Sequence, residues 1–410
     1  MDGGVQPEFD VAIVGGGMVG ASCAAALRGS GRRVLLIEGT DPASDAQPSF
    51  DERTTALGNA SRRIFAALGA WEAMAAEAAP IRSIHVSDAG RFGFARLEAA
   101  EQGIEAFGYV VPNRTIGAAL WARLTADAAL TLRVPARLTA VAVTPEAATL
   151  ELQSARHGRE RVRARLVVAA DGAHSLARAA AGIGADAEDY AQVALVTTVG
   201  SDQPHGDRAF ERFTAAGPLA VLPLVHGRLA VIWACPPAAA QRLLALDDAA
   251  YLAELQEVFG WRAGRFTEPG RRGSYPLKLT RAGAPVGTRT ALIGNASQAL
   301  HPVAGQGFNL GLRDAAMLAE ILAADDGDPG EAARLQRFAD WRARDRGGVT
   351  RFTDSLVRLF GDRRPGVGLL RDLGLLAFDL TPPAKSALAR VSAGFGGPIP
   401  RLARGLPLRP

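Results

Sequence analysis

Apolar and polar positions in the first forty residues follow the order of a strand, a helix and a second strand. An apolar run from Val11 to Val14 predicts a buried strand, and a second run from Val34 to Ile37 predicts a parallel neighbour. Between them, an alanine-rich segment predicts a helix that ends near residues 29–31, where glycines occur. The chain therefore begins with a predicted β-α-β unit.

Glycines connect the first strand to the helix in the spacing G-x-G-x-x-G, at Gly15, Gly17 and Gly20. The first permits a tight turn, the second leaves room for a pyrophosphate at the helix N-terminus, and the third lets helix and strand pack closely. Glu38 ends the second strand, where a carboxylate can accept hydrogen bonds from a ribose and disfavours a 2′-phosphate. This pattern predicts an adenine dinucleotide and leaves NAD and FAD as alternatives.

A second glycine-rich segment, IGNASQALHPVAGQGFNLGLRD, occupies residues 293–314. Its pattern predicts a strand over Ala291 to Ile293, a loop, and a long helix from about Gly307. The free N–H groups and positive dipole at the start of such a helix suit an anionic or electron-rich edge, which reduced flavin has at N1 and the C2 carbonyl. On its own, Pro302 is equally compatible with an ordinary loop proline.

A third segment, RLVVAADGAHSLAR, predicts a buried strand over Leu166 to Ala170 that opens onto Asp171 and Gly172. Taken alone, Asp171 is equally compatible with a turn. Its occurrence together with the two other glycine-rich segments favours a shared cofactor site.

The remaining patterns predict a second sheet and a distinct C-terminus. The runs ALVTTVG, LAVLPLV and RLAVIWAC, all within 184–282, predict antiparallel strands able to cover a flavin. From Ser355 to Pro410, basic residues outnumber acidic ones among interspersed leucines, which predicts either a basic membrane-facing surface or a helical layer on the first domain. Glycine and proline in Gly394 to Pro410 predict disorder there.

Composition excludes several classes of protein. The net charge is +4 over 410 residues, and the basic residues are arginines except for Lys278 and Lys385. No basic block with interleaved aromatics occurs in the first 350 residues, so we predict no nucleic-acid partner. Two cysteines, Cys23 and Cys235, provide neither a disulfide framework nor a metal site and favour a reducing compartment. Without a signal sequence or an apolar span, a cytoplasmic location is expected.

The three segments together resemble a known family. GGGMVG, ADGAHS and HPVAGQGFNLGLRD resemble motifs of the single-component flavoprotein aromatic hydroxylases with the para-hydroxybenzoate hydroxylase fold. Within that family, RAFERFTAAGPLAVLPL, FGWRAG, SYPLKLTRA and TDSLVRLF are similar to the branch that hydroxylates polyprenylated methoxyphenols in ubiquinone biosynthesis. The resemblance covers about residues 8–390.

The resemblance implies an α/β (α+β) fold with two domains and a C-terminal segment. A discontinuous Rossmann-like FAD-binding domain would comprise 1–80, 101–183 and 283–345. A substrate domain built on an antiparallel β-sheet would comprise 81–100 and 184–282, followed by a helical segment at 346–410 with a flexible tail.

The family's chemistry implies FAD as cofactor, NADPH or NADH as reductant and O2 as co-substrate. A C4a-hydroperoxyflavin would deliver oxygen to the ring of a polyprenylated phenol. Such a substrate implies transient contact with the membrane surface, peripheral on the inner face of the cytoplasmic membrane, and a possible protein complex of ubiquinone biosynthesis.

Matched position by position, the resemblance also implies the site residues. The cofactor-binding residues would be Gly15, Gly17, Met18, Val19, Gly20, Glu38, Arg53, Arg114, Asp171, Gly172, Gly294, Asn295, Pro302, Gly305, Gln306, Gly307, Phe308 and Asn309. Asn295 stands where the wider family has Asp, which removes one negative charge near the phosphates. His301 is a candidate base for the phenol beside Pro302, with a structural role as the alternative.

Two alternative functions remain at this point. A hydroxylase of a soluble aromatic compound would use the same scaffold with a compact polar pocket. A non-catalytic subunit of a quinone-biosynthesis assembly would keep the fold and use the basic C-terminus for docking.

Overall fold

The structure is a computed structural model that describes residues 8–155, 158–299, 305–345, 381–395 and 397–408. The strands are β1 (Phe9–Val14), β2 (Val34–Ile37), β3 (Thr54–Gly58), β4 (Ala79–Ile81), β5 (Ser83–Asp88), β6 (Phe94–Glu98), β7 (Gly108–Pro112), β8 (Leu130–Arg133), β9 (Ala136–Val143), β10 (Ala148–Ser154), β11 (Gly158–Ala169), β12 (Ala185–Ser201), β13 (Arg208–Phe213), β14 (Pro218–Pro223), β15 (Leu229–Cys235), β16 (Phe266–Thr267), β17 (Gly273–Ala282), β18 (Val286–Gly287), β19 (Thr290–Leu292) and β20 (Gln298–Ala299). The α-helices are α1 (Met18–Ala26), α2 (Asn59–Ala67), α3 (Trp71–Met74), α4 (Asn113–Thr125), α5 (Leu176–Ala180), α6 (Pro237–Ala245), α7 (Asp248–Phe259), α8 (Gln306–Ala323), α9 (332–345) and α10 (Pro382–Ser392).

An eight-stranded sheet carries the predicted nucleotide-binding unit. Its central strands run parallel in the order β19-β11-β1-β2-β8. The first half of β11 also pairs antiparallel with β10, and β10 pairs antiparallel with β9. One face of the sheet packs against α1, α4 and α8, and β1 is buried on both faces because a second apolar cluster lies opposite. The parallel β1-α1-β2 unit predicted from the sequence is thus confirmed, with α1 ending at Ala26 instead of near 29–31.

A nine-stranded sheet forms the second layer. Its order is β20-β17-β12-β15-β14-β13-β5-β6, with β16 added to β12, and only the β13–β5 pair is parallel. Segments 81–100 and 184–282, which we predict to form the substrate domain, supply all of it except β20. One face packs on α6 and α7, and the opposite face, called here the cleft face, turns toward the first sheet.

Two buried ion pairs join α8 to α9. Arg313 Nε lies 3.0 Å from Asp345 Oδ2, and Arg342 Nε lies 3.1 Å from Asp314 Oδ1. All four side chains are buried, so each charge depends on its partner.

The C-terminal part differs from one prediction. The expectation of disorder for Gly394 to Pro410 is wrong for residues 397–408: Leu402 and Ala403 are buried, and the Arg401 N–H donates to Glu320 on α8. Burial of two apolar side chains offsets the local glycine and proline content. Residues 346–380, which include the first part of the basic segment Ser355 to Pro410, lie outside the described residues. Within the described ranges, no helix is long and apolar enough to cross a membrane.

Candidate functional site

A cleft of about 820 Å³ lies between the N-termini of α1 and α8 on one side and the cleft face of the nine-stranded sheet on the other. Predicted site residues that line it are Gly15, Gly17, Met18, Val19, Glu38, Arg53, Asp171, Gly172, Asn295, Gly307 and Phe308. Those that do not line it are Gly20, Arg114, Gly294, Gly305 and Asn309. Gln306 begins α8, and His301 and Pro302 lie outside the described residues. The two glycine-rich segments and the segment with Asp171 and Gly172 therefore meet at one cleft.

The α1 end of the cleft is built to leave space beside backbone N–H groups. Gly17 is the N-cap of α1, without a side-chain cap or an acidic residue in the first turn, and a Cβ on it would lie 2.8 Å from Ser49 Oγ. Gly15 has φ of +99°, and a Cβ on Gly20 would lie 1.9 Å from the Gly15 carbonyl oxygen. The uncapped positive helix end can therefore receive a phosphate.

Glu38 ties this turn to the second strand. Its carboxylate accepts hydrogen bonds from the N–H groups of Gly16, at 2.6 Å, and Thr40, at 2.9 Å. Trp121 on α4 donates its indole N–H to the Gly16 carbonyl at 3.1 Å. A carboxylate has about four acceptor positions, so Glu38 keeps capacity for a ribose hydroxyl.

The α8 end of the cleft also presents an uncapped helix. Gly305, in the left-handed conformation with φ of +60°, precedes the helix, and the first turn has neither a side-chain cap nor an acidic residue. A Cβ on Gly307 would meet only open space. Asn309 donates its amide to the carbonyls of Gly305, at 2.7 Å, and Ala56, at 2.8 Å, which holds the start of α8 against β3. Asn309 thus positions the helix end from outside the cleft.

Two glycines bring α8 close to α1. A Cβ on Gly311 would lie 3.0 Å from Gly294 Cα and 2.9 Å from a methyl group of Val19. A Cβ on Gly294 would itself meet Val19 at 3.1 Å. These contacts place both helix ends at the same cleft.

Asp171 is engaged by the helix that follows it. Its carboxylate accepts hydrogen bonds from the N–H groups of Leu176, at 2.9 Å, and Ala177, at 3.2 Å, and from the Ser175 hydroxyl. Gly172, with φ of +85°, faces open space. Asp171 therefore caps α5 and turns the Gly172 backbone toward the cleft.

Arg178 connects two of the three glycine-rich segments. The side chain is 9% exposed and donates to the carbonyls of Ala173, at 2.9 Å, and Ala296, at 2.8 Å. It therefore fixes the loop after β11 relative to the loop after β19.

Arg53 lies at the junction of the two sheets. Its guanidinium pairs with Asp51 at 2.7 Å and lies 4.4 Å from the ring centre of Tyr275 on β17. The Tyr275 hydroxyl donates to Asp51 at 3.2 Å, and burial, followed by the Asp51 charge, raises the pKa of Tyr275. Arg114 instead pairs with Glu52 at the surface, where both side chains are more than half exposed.

Free backbone donors indicate that the cleft fits an anionic ligand. The N-termini of α1 and α8 both lack a side-chain cap and an acidic residue in the first turn. Such helix ends favour a negatively charged group. With the absence of a side chain at Gly17, they fit the phosphates and the electron-rich edge of FAD.

The opposite wall of the cleft is apolar over its central strands, and Tyr275 and Lys278 on β17 are polar residues at its side. Ala194, Val196, Ile232 and Leu277 project from the central strands of the nine-stranded sheet. Such a wall suits an aromatic ring or an alkyl chain better than a charged substrate.

Sequence reasoning missed several residues of the cleft. Gln47, Ser49, Thr54, Arg137, Tyr275 and Lys278 line it, and Trp121 and Arg178 support it. Thr54 follows Arg53 directly, and Tyr275 lies in a phrase that carried the resemblance, so both had a sequence signal. The partner of Trp121 lies 105 positions away along the chain, and a partner of Arg178 lies 118 positions away. No local pattern marks either contact.

Comparisons with known proteins agree with this site. A protein-family model described as FAD binding domain matches residues 8–353. Ubiquinone hydroxylase UbiL of Rhodospirillum rubrum is 39% identical over 99% of this chain and 95% of its own length. The 3-demethoxyubiquinol 3-hydroxylase of Escherichia coli is 35% identical over 95% of this chain and 99% of its own. The p-nitrophenol 4-monooxygenase PnpA of Pseudomonas putida shares the fold, with a TM-score of 0.77 at 19% identity over 94% of this chain and 98% of its own. The chain therefore belongs to the FAD binding domain family of flavoprotein monooxygenases.

Proposed function

We propose that this protein hydroxylates the phenol ring of a polyprenylated ubiquinone precursor, with FAD as cofactor, NADH or NADPH as reductant and O2 as the source of oxygen. The observation that carries the proposal is a cleft in which two uncapped helix ends face an apolar sheet. The names of the relatives, ubiquinone hydroxylase and 3-demethoxyubiquinol 3-hydroxylase, support a ubiquinone precursor as the substrate.

FAD supplies the redox chemistry and the activation of oxygen when it is bound. The chain's own residues provide position and polarity. The N-terminus of α1 would hold the pyrophosphate and Glu38 a ribose hydroxyl, while the positive end of α8 would stabilise negative charge on the flavin. Asn309 and Arg178 keep these groups in place from outside the cleft.

The apolar wall would exclude water and receive the substrate ring. Ala194, Val196 and Ile232 offer no hydrogen bond, so an aromatic ring with an alkyl substituent is favoured there over a charged compound. A polyprenyl chain partitions into the bilayer, so the proposed substrate implies a transient membrane contact. A complex with other ubiquinone-biosynthesis proteins stays a prediction. His301 and Pro302 remain predictions as catalytic residues because they lie outside the described residues.

Product analysis tests the function. The purified holoprotein would be given NADH or NADPH, ¹⁸O2 and a short-chain prenylated methoxyphenol, and the products separated by mass spectrometry. We expect a phenol-dependent product that is heavier by one ¹⁸O atom. Oxidation of a soluble unprenylated phenol with no turnover of the prenylated one would favour the soluble-substrate alternative, and FAD binding without turnover of any phenol would favour a non-catalytic subunit.

A further inference from the structure

Glu211 lies on the cleft face of the nine-stranded sheet, in the phrase RAFERF. In the register of the sheet, Glu211 lies directly opposite Ala220 on β14. Ala220 in turn lies opposite Ile232 on β15, and Ile232 lies opposite Val196 on β12. Directly opposed residues in a sheet project to the same face. Because Val196 and Ile232 line the cleft, Glu211 belongs to the same surface, two strands beyond Ile232.

The side chains of this row keep part of their surface accessible. Val196, Ile232, Ala220, Glu211 and the next residue, Val86 on β5, are all half-buried, whereas their neighbours on the opposite face form the buried core with α6 and α7. Adjacent strands lie about 4.8 Å apart, so about 10 Å separate the backbones at Ile232 and Glu211. Ala220, between them, has the smallest side chain of the row.

The Glu211 carboxyl has no ion pair and no hydrogen bond among the described residues. Protein surrounds it, and this burial alone raises the pKa of the carboxyl to about 7. On β14 the same face presents only Pro218, Ala220 and Leu222. On β5, strand alternation places Asp88 on this face, and Asp88 pairs with Arg91 at 3.5 Å. A half-buried carboxyl without a partner points to a ligand that supplies the partner.

We propose that Glu211 binds the ring hydroxyl of the phenolic substrate and thereby sets the orientation of the ring in the cleft. The phenol O–H donates to a Glu211 carboxylate oxygen while the ring lies over Ala220 toward Ile232. A hydrogen bond to a charged acceptor raises electron density on the phenol oxygen and the ring. This inference rests on the proposed function and names the residue that recognises its substrate.

Binding of a matched ligand pair tests the assignment. 2-Methoxyphenol and 1,2-dimethoxybenzene differ only in that a methyl group replaces the hydroxyl proton. Each would be titrated into the FAD-loaded protein and followed by the change in flavin absorbance. We expect the wild-type protein to prefer the phenol by about ten- to a hundredfold, and the Glu211→Gln variant to bind both ligands within about threefold of each other. The Glu211→Asp variant should retain part of the preference.

Glu188→Gln, at an exposed position of β12, is the matched control and should keep the wild-type preference. If either ligand binds too weakly to titrate, the concentration that half-saturates stimulation of NADH oxidation gives the same ratio. An unchanged preference in Glu211→Gln, or no preference in the wild type, overturns the assignment. Loss of the preference in Glu211→Gln supports the assignment of Glu211. Either result can be distinguished from failure of the proposed function, because ring hydroxylation by the wild-type protein is measured separately by ¹⁸O incorporation.

Discussion

Replacement of Glu211 by Gln should change how the stability of the protein depends on pH. Burial raises the pKa of this carboxyl in the folded protein from its ordinary value of 4.5 to about 7. Below pH 4.5 the carboxyl is protonated in both the folded and unfolded states and has no effect. Between pH 4.5 and 7 the unfolded state ionises while the folded state stays protonated, so the stability of the protein falls as pH rises and reaches its lower limit above pH 7.

The difference of about 2.5 between the two pKa values corresponds to roughly 3 kcal/mol as an upper limit. Because the side chain retains some exposure, we expect about 1–3 kcal/mol. An unfolding entropy of about 2.1 cal/mol/K per residue converts this to a shift of roughly 1–3 °C in the unfolding temperature.

The assay is thermal unfolding of the FAD-loaded protein, followed by the release of flavin fluorescence at pH 5 and pH 8. Glu211→Gln should unfold at a higher temperature than the wild type at pH 8, and the advantage should shrink at pH 5, since the amide does not ionise. Glu188→Gln controls for the loss of one surface charge. An advantage of equal size at both pH values would refute the reasoning that Glu211 is buried without a partner.

Three further substitutions test the packing around the cleft. Gly20→Ala would force a methyl group into a backbone carbonyl, so FAD affinity, measured by titration of flavin fluorescence, should fall at least about a hundredfold. The control Gly184→Ala, in open space, should leave the FAD affinity unchanged. Arg178→Met removes the hydrogen bonds to the Ala173 and Ala296 carbonyls, of which the second joins the loop after β11 to the loop after β19. We expect FAD to bind about tenfold or more weakly, with a normal circular dichroism spectrum. Asp345→Ala removes the carboxylate that pairs with buried Arg313, whose guanidinium keeps its hydrogen bond to the Gly394 carbonyl. This loss should cost about 3–5 kcal/mol in thermal unfolding, and the double variant Arg313→Met/Asp345→Leu should recover most of it.

The sequence predicted the parts of the site that depend on local spacing. The glycine spacing at Gly15, Gly17 and Gly20 defines the turn into α1, and the structure confirms the strand, helix and strand around it. The helix predicted from about Gly307 begins at Gln306, one residue earlier. Local patterns sufficed here because turn geometry and helix starts are set by a few neighbouring residues.

Contacts between distant segments were beyond sequence reasoning. Asp171 was equally compatible with a turn or a cofactor ligand, and the structure shows that its carboxylate caps α5. Arg178 joins two loops that are 118 residues apart. Sequence reasoning did not single out Glu211, because only the packing of Phe210 and Arg212 against α7 shows that the opposite face of β13 is turned to the cleft.

The central claim, that the cleft at the start of α8 holds FAD, is tested most directly by titration of the apoprotein with FAD for the wild type and Gly307→Leu. A side chain at Gly307 enters open space in the protein alone, so the fold should be unaffected while the cofactor's place is taken. We predict one equivalent of FAD bound by the wild type and by the control Gly184→Leu, and at least about a hundredfold weaker binding by Gly307→Leu. Equal binding by all three proteins, or no uptake of FAD by the wild type, would contradict the account.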